Sequence, residues 1–106
     1  VYKLIYTPQA EKQLTEIANN IYDLSGEYKL AEKYVLGIKE ALDHKRSFPK
    51  TSPLICVENP KLKGLRKVHF KRYYAYYVLD ENDHVMYVTA IVYDGMDQEA
   101  FFDSHI

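Results

Sequence analysis

The sequence predicts an α+β domain in the order β-α-α-β-β-β, an antiparallel sheet with a helical hairpin packed on one face. Three observations carry that prediction. Two stretches near the N-terminus space their apolar residues at helical intervals and are joined by a few residues only. Three later stretches, at about 65–70, 73–80 and 84–93, are rich in strand-forming Val, Ile, Thr and Tyr and are separated by short polar turns. A short alternating segment opens the chain. At 106 residues the whole, 1–106, reads as one domain.

Tyr2 to Tyr6 alternates with Lys3 and reads as the first strand. Thr7-Pro8 then opens a helix: Thr is a good N-cap, Pro suits the first helical position, and Glu11 lies where the macrodipole favours an anion. Ala10, Leu14, Ile17, Ile21 and Leu24 form one apolar face, and Ser25-Gly26 ends the helix, with glycine free to turn left-handed. The second helix covers about 28–47, with Ala31, Tyr34, Val35, Ile38, Ala41 and Leu42 as its stripe. Gly37 lies inside that stripe at a cost of about 1 kcal/mol against Ala, which predicts a close helix crossing. Two helices so closely joined form an antiparallel hairpin. Pro49 stops the second helix, and residues 49–63, with Pro49, Pro53 and Pro60, read as a crossing loop. Lys71-Arg72 and Asp80-Glu81-Asn82-Asp83 are the turns between the last three strands.

Charge is unevenly distributed. Residues 60–79 hold six Lys/Arg and no carboxylate, residues 80–106 hold seven Asp/Glu and no Lys/Arg, and the first 59 residues balance eight against eight. The net charge of −1 therefore hides a dipole along the chain, which points to an interaction surface on a basic sheet edge or face. No apolar run approaches the ~20 residues of a membrane span, and no secretion signal is visible. The chain begins at Val1 rather than Met, which leaves room for residues before it. The lone Cys56 cannot form an internal disulfide; it reads as a small core residue in a reducing, cytoplasmic setting.

Metal and nucleotide signatures are absent from the sequence, and His44, His69, His84 and His105 share no ligand spacing, so no cofactor or metal is expected. The basic hairpin is the strong local signal. If Val68 and Phe70 face the helices, Lys67 and His69 stand on the open face, with Arg66 toward the strand end. Lys61, Lys63, Lys67, Lys71 and Arg72 with Tyr74 and its neighbouring tyrosines would supply phosphate contacts and stacking planes for a nucleic acid. The same residues suit an acidic protein partner, or a strand edge charged against unwanted pairing. RNA cleavage without metal needs a base, a cation for the phosphorane and an acid; Arg66, His69 and Tyr93 have those chemical types.

Tyr6-Thr7-Pro8-Gln9-Ala10, Ile21-Tyr22, Ala31, Phe48-Pro49, Leu65-Arg66-Lys67-Val68, Arg72-Tyr73-Tyr74-Ala75-Tyr76-Tyr77-Val78 and Val88 to Asp97 occur in an order and spacing that resembles the RelE/ParE superfamily of toxins from bacterial type II toxin–antitoxin modules. The Arg66-to-Tyr73 interval and the long hairpin ending in Phe48-Pro49 look more like the ParE branch. That resemblance implies a growth-arresting, plasmid-stabilising toxin that inhibits DNA gyrase and is neutralised by a cognate antitoxin, held in a groove over the helical hairpin and the sheet edge. The alternative within the superfamily is RelE-like, ribosome-dependent mRNA cleavage, for which Arg66 and Tyr93 match the family's arginine and late aromatic. Two cations of that pattern are replaced, one by Ala90 and one by Tyr74. Their loss from a site that must hold an extra-charged phosphorane weighs against cleavage.

Overall fold

The computed structural model describes residues 1–55 and 63–96. In it β1 (Lys3–Tyr6), α1 (Pro8–Ser25), α2 (Tyr28–Lys45), a 3-10 turn (Pro49–Thr51), β2 (Arg66–Phe70), β3 (Tyr73–Asp80) and β4 (Val85–Tyr93) follow in the predicted order. Their sheet order is β1-β4-β3-β2. The last three strands form the expected antiparallel meander, but β1 joins β4 in parallel, from Lys3↔Val85 to Tyr6↔Val88. The sheet is therefore mixed. A parallel neighbour requires a crossover, and the chain makes it with the helical hairpin.

The local signals act as expected at α1. Thr7 Oγ1 accepts from the Ala10 N–H at 3.2 Å, Pro8 takes the first turn, and Gly26 at φ 70° donates its N–H to the Tyr22 carbonyl. The second helix ends at Lys45, two residues earlier than its periodicity suggests, and Pro49 opens the 3-10 turn. Gly37 corrects a second expectation. A Cβ there would collide with the Phe70 ring, so the glycine brings α2 down onto β2 rather than onto α1.

Ala10, Leu14 and Ile17 of α1 and Ile38 and Leu42 of α2 close over Ala75, Tyr77, Met86, Val88 and Ile91 of the sheet. Burial fades along the α1 stripe: Ile21 is half-buried and Leu24, expected in the core, is 90% exposed. Central β4 is buried over most of its length, with a bulge that the imperfect alternation of its sequence foreshadows. Tyr77 pairs with Val88 and Tyr76 with Ala90, so Thr89 is the extra residue. The bulge reverses the facing of everything after it. Met86 and Val88 face the helices before it and Ile91 after it, while Ala90 and Val92 join Leu65 and Tyr76 on the open face. Thr7 Oγ1 donates to the Thr89 carbonyl, and Gln13 Oε1 accepts from the Ile91 N–H at 2.7 Å, so α1 supplies partners where β1 has ended. Among the described residues no helix is long and apolar enough to cross a membrane.

Candidate functional site: the two ends of the basic hairpin

β2 is an edge strand, so the basic segment does lie along a sheet edge. Its alternation is as predicted. Val68 and Phe70 pack toward the helical core, while Lys67 and His69 are exposed on the other face. There Lys67 Nζ stands 4.2 Å from the centroid of the Tyr74 ring, and His69 stacks on the same tyrosine at 4.6 Å. His69 Nε2 also reaches Asp94 Oδ2 at 3.4 Å, an acid just past the end of β4. Lys63 is exposed ahead of β2, and Lys61 lies outside the described residues.

Arg66 is at one end of this hairpin and is tied to the loop before it. Its Nη1 donates to the Ser52 carbonyl at 2.7 Å and to the Lys50 carbonyl at 3.4 Å. Directly across the strands, buried Tyr77 donates its hydroxyl to the Pro49 carbonyl at 2.6 Å. Together they clamp the 3-10 turn onto the sheet. Burial raises the Tyr77 phenol, opposed by a hydrogen bond from Ser52 and the charge of Arg66. Lys50 and Glu81 form an exposed ion pair beside the clamp, which raises the lysine and lowers the carboxyl.

The other end is built differently. Lys71 and Arg72 form the two-residue turn, with Lys71 at φ 53° and its Nζ 5.0 Å from the centroid of the Tyr34 ring. Tyr73 meets Tyr34 and Tyr93 edge-to-face at 6.3 and 6.0 Å. Burial raises the Tyr73 phenol, helped by Tyr34, Tyr93 and Asp94. Beside this aromatic row runs an open groove of about 1260 Å³ between α1, the start of α2 and the ends of β3 and β4. Arg72, Tyr73 and Tyr93 line it on the sheet side, and Gln9, Ile17 and Leu24 on the helix side. The Gln9 amide nitrogen is buried without a hydrogen-bond partner.

Arg66, His69 and Tyr93 do not come together. Arg66 lies opposite Tyr77 and Tyr93 opposite Tyr73, four residues along β3, or ~13 Å of strand. His69 is on the open face, whereas the Thr89 bulge turns Tyr93 to the helix side, against Tyr73. The cations divide likewise: Lys67 stands with Tyr74 on the open face, and Lys71 and Arg72 stand at the turn by the groove. The sequence holds no signal for Asp94 as a partner for His69, because that depends on where the chain leaves β4. A groove was expected over the helical hairpin and the sheet edge; this one runs between α1, the start of α2 and the ends of β3 and β4. Among the described residues no group of three or more His, Cys, Asp or Glu could hold a metal ion.

A helical hairpin over a four-stranded mixed sheet is also the fold of solved RelE and ParE toxins. The structure of the chromosomal ParDE toxin–antitoxin system from P. aeruginosa superposes with a TM-score of 0.71 at 19% identity, covering 87% of this chain and 95% of that one. Isolated E. coli RelE superposes at 0.60 with 14% identity over 98% and 95% of the two chains, and the intact E. coli RelBE complex at 0.58 with 15% identity over 86% and 94%. No curated protein matches the sequence. Residues 4–98 match the model of the family described as the ParE toxin of the type II toxin–antitoxin system parDE, and the chain belongs to that family. It is a type II toxin–antitoxin toxin of the ParE/RelE superfamily.

Proposed function

We propose that this toxin arrests growth by ParE-like inhibition of DNA gyrase, acting in the cytoplasm as a binding protein without chemistry of its own, and that a cognate antitoxin neutralises it to stabilise the replicon that carries both. The observation that carries this reading is the separation of Arg66, His69 and Tyr93. Acid–base cleavage of RNA needs a base, a cation and an acid within hydrogen-bond reach of one phosphate. Here the arginine is committed to two loop carbonyls and the other two side chains occupy opposite faces of the sheet. Membership of the ParE family and the likeness to the P. aeruginosa ParDE system support the same reading. The antitoxin partner is supported by the complexes among the structural neighbours.

Contact with the target falls to the basic hairpin: Lys63, Lys67 and Tyr74 along the strand, with Lys61 before it and Lys71 and Arg72 at the turn. Purified toxin added to bacterial gyrase with relaxed plasmid and ATP is expected to block supercoiling, and to leave mRNA 5′ ends unchanged in a translating extract. Intact supercoiling together with cuts clustered at A-site codons, lost in Tyr93→Phe, would make the protein a RelE-like, ribosome-dependent endoribonuclease instead.

A further inference from the structure

The tyrosines of the basic hairpin are not open planes. Tyr76 and Tyr77 are buried, and Tyr73 is half-buried in its row with Tyr34 and Tyr93. Tyr74 carries the Lys67 ammonium at 4.2 Å and the His69 ring at 4.6 Å. An unpaired base needs an open aromatic face to stack on, and these rings are already occupied. The cations differ. Lys63, Lys67, Lys71 and Arg72 are all exposed. The ion pairs among the described residues join Arg46 to Asp43, Lys50 to Glu81 and His69 to Asp94, and none involves these four. Tyr74 and Tyr34 hold the ammonium groups of Lys67 and Lys71 in place, so less side-chain freedom is lost when an anion arrives.

These cations form a row rather than a cluster. Lys67 and Lys71 are four residues apart along the sheet edge, ~13 Å of strand, with Lys63 ahead of them and Arg72 beyond. Duplex DNA carries one charge per ~1.7 Å of its axis, so a row of that length meets several phosphates. A protein surface is a poorer fit. Protein interfaces favour arginine and seated aromatic anchors and disfavour lysine, and three of these four cations are lysines. The acids of the hairpin's sheet lie away from the row: Asp80, Glu81 and Asp83 sit at the far end of the eight-residue β3, ~27 Å from the Lys71-Arg72 turn. A net charge of −1 gives the whole chain little long-range pull toward a polyanion. Free DNA is therefore a weak ligand, and the row acts where another protein already holds the duplex.

We infer that the exposed cations of the hairpin contact the phosphate backbone of the DNA duplex held by gyrase, without reading its sequence, so that the toxin prefers the gyrase–DNA complex to gyrase alone. The inference rests on the reading of this protein as a gyrase inhibitor and adds the partner of its basic edge. Fluorescently labelled toxin is titrated with gyrase, with a linear DNA duplex, and with both together. The complex binds about tenfold tighter than gyrase alone at low salt, and the free duplex binds more weakly than either. Two duplexes of different sequence serve equally. The triple variant Lys67→Gln/Lys71→Gly/Arg72→Gln melts like wild type yet loses the gain from DNA. Its plot of log affinity against log salt is flatter by about 1 per cation removed. Lys33→Gln, exposed on α2, keeps the gain. No binding to gyrase with or without DNA would overturn the gyrase reading and this inference together. Equal affinity for gyrase with and without DNA would overturn the inference alone. A triple variant weakened equally toward both would also overturn it, and would assign the row to an acidic protein surface.

Discussion

The two ends of the β2–β3 hairpin use the same residue types for opposite purposes. At one end Arg66 and Tyr77 direct their polar atoms inward, to the carbonyls of Ser52, Lys50 and Pro49, and the crossing loop is held by them. At the other, Lys71, Arg72 and Tyr73 border an open groove, with two cations outside any ion pair among the described residues. The difference lies in what the chain brings alongside. A buried carbonyl needs a donor, and an arginine or tyrosine at the right register becomes part of the scaffold. Where nothing is brought alongside, the same side chains remain available to a partner. Residue type alone therefore does not separate an exposed arginine from a structural one.

The sharpest way to break that contrast is to remove each arginine in turn. Arg66→Ala is expected to cost about 2–3 kcal/mol in denaturant unfolding, since it strips a charged donor from two carbonyls. Arg72→Ala stays within about 0.5 kcal/mol of wild type, as substitutions at exposed sites do. Equal costs for the two would erase the distinction between a fixed and an open end. Tyr77→Phe should lose about 1–2 kcal/mol by leaving the buried Pro49 carbonyl without its donor, a loss readable as a lower melting temperature. At the open end the sign reverses. Lys71→Gly relieves a left-handed backbone and should raise stability by about 1 kcal/mol in the same assay.

A pH dependence tests the sheet around the hairpin. Burial, then Asp43, pushes Tyr6 up to about 12, and burial, then Tyr74, pushes Tyr76 up to about 12. A phenol whose folded value lies above the unfolded 10.0 stabilises the fold fully below pH 10. That contribution is lost as pH rises through the folded value. Stability should thus decline between pH 10 and 12, and the decline should shrink in Tyr76→Phe. An unchanged alkaline slope in that variant would mean that Tyr76 is better solvated than its burial implies.

Much of this architecture was legible in the chain because local chemistry decides it. Thr7-Pro8 and Gly26 bound α1, the helical spacing of Ala10, Leu14 and Ile17 sets its buried face, and alternation along Arg66 to Phe70 places Lys67 and His69 on the open side. These features depend on neighbours a few residues away, which is the range that periodicity and capping report. Leu24 and Gly37 show where that range ends. The stripe that includes Leu24 is correct, but how far the sheet reaches under it is set by strands some fifty residues later. The glycine does mark a close approach, but whether helix or strand comes close depends on Phe70.

The site was legible as residue types and not as geometry. Tyr93 faces the helices only because the extra Thr89 shifts β4 by one residue, and a shift of one turns a side chain to the other face. Arg66 became a clamp because the chain leads Ser52 and Lys50 back to it, and His69 gained Asp94 because β4 ends beside it. The sequence by itself determined the elements, their order, the basic edge and the family likeness, all carried by short-range patterns. Only the tertiary structure decided which cations are spent on the scaffold and which stay exposed, because that depends on which distant backbone groups each one meets.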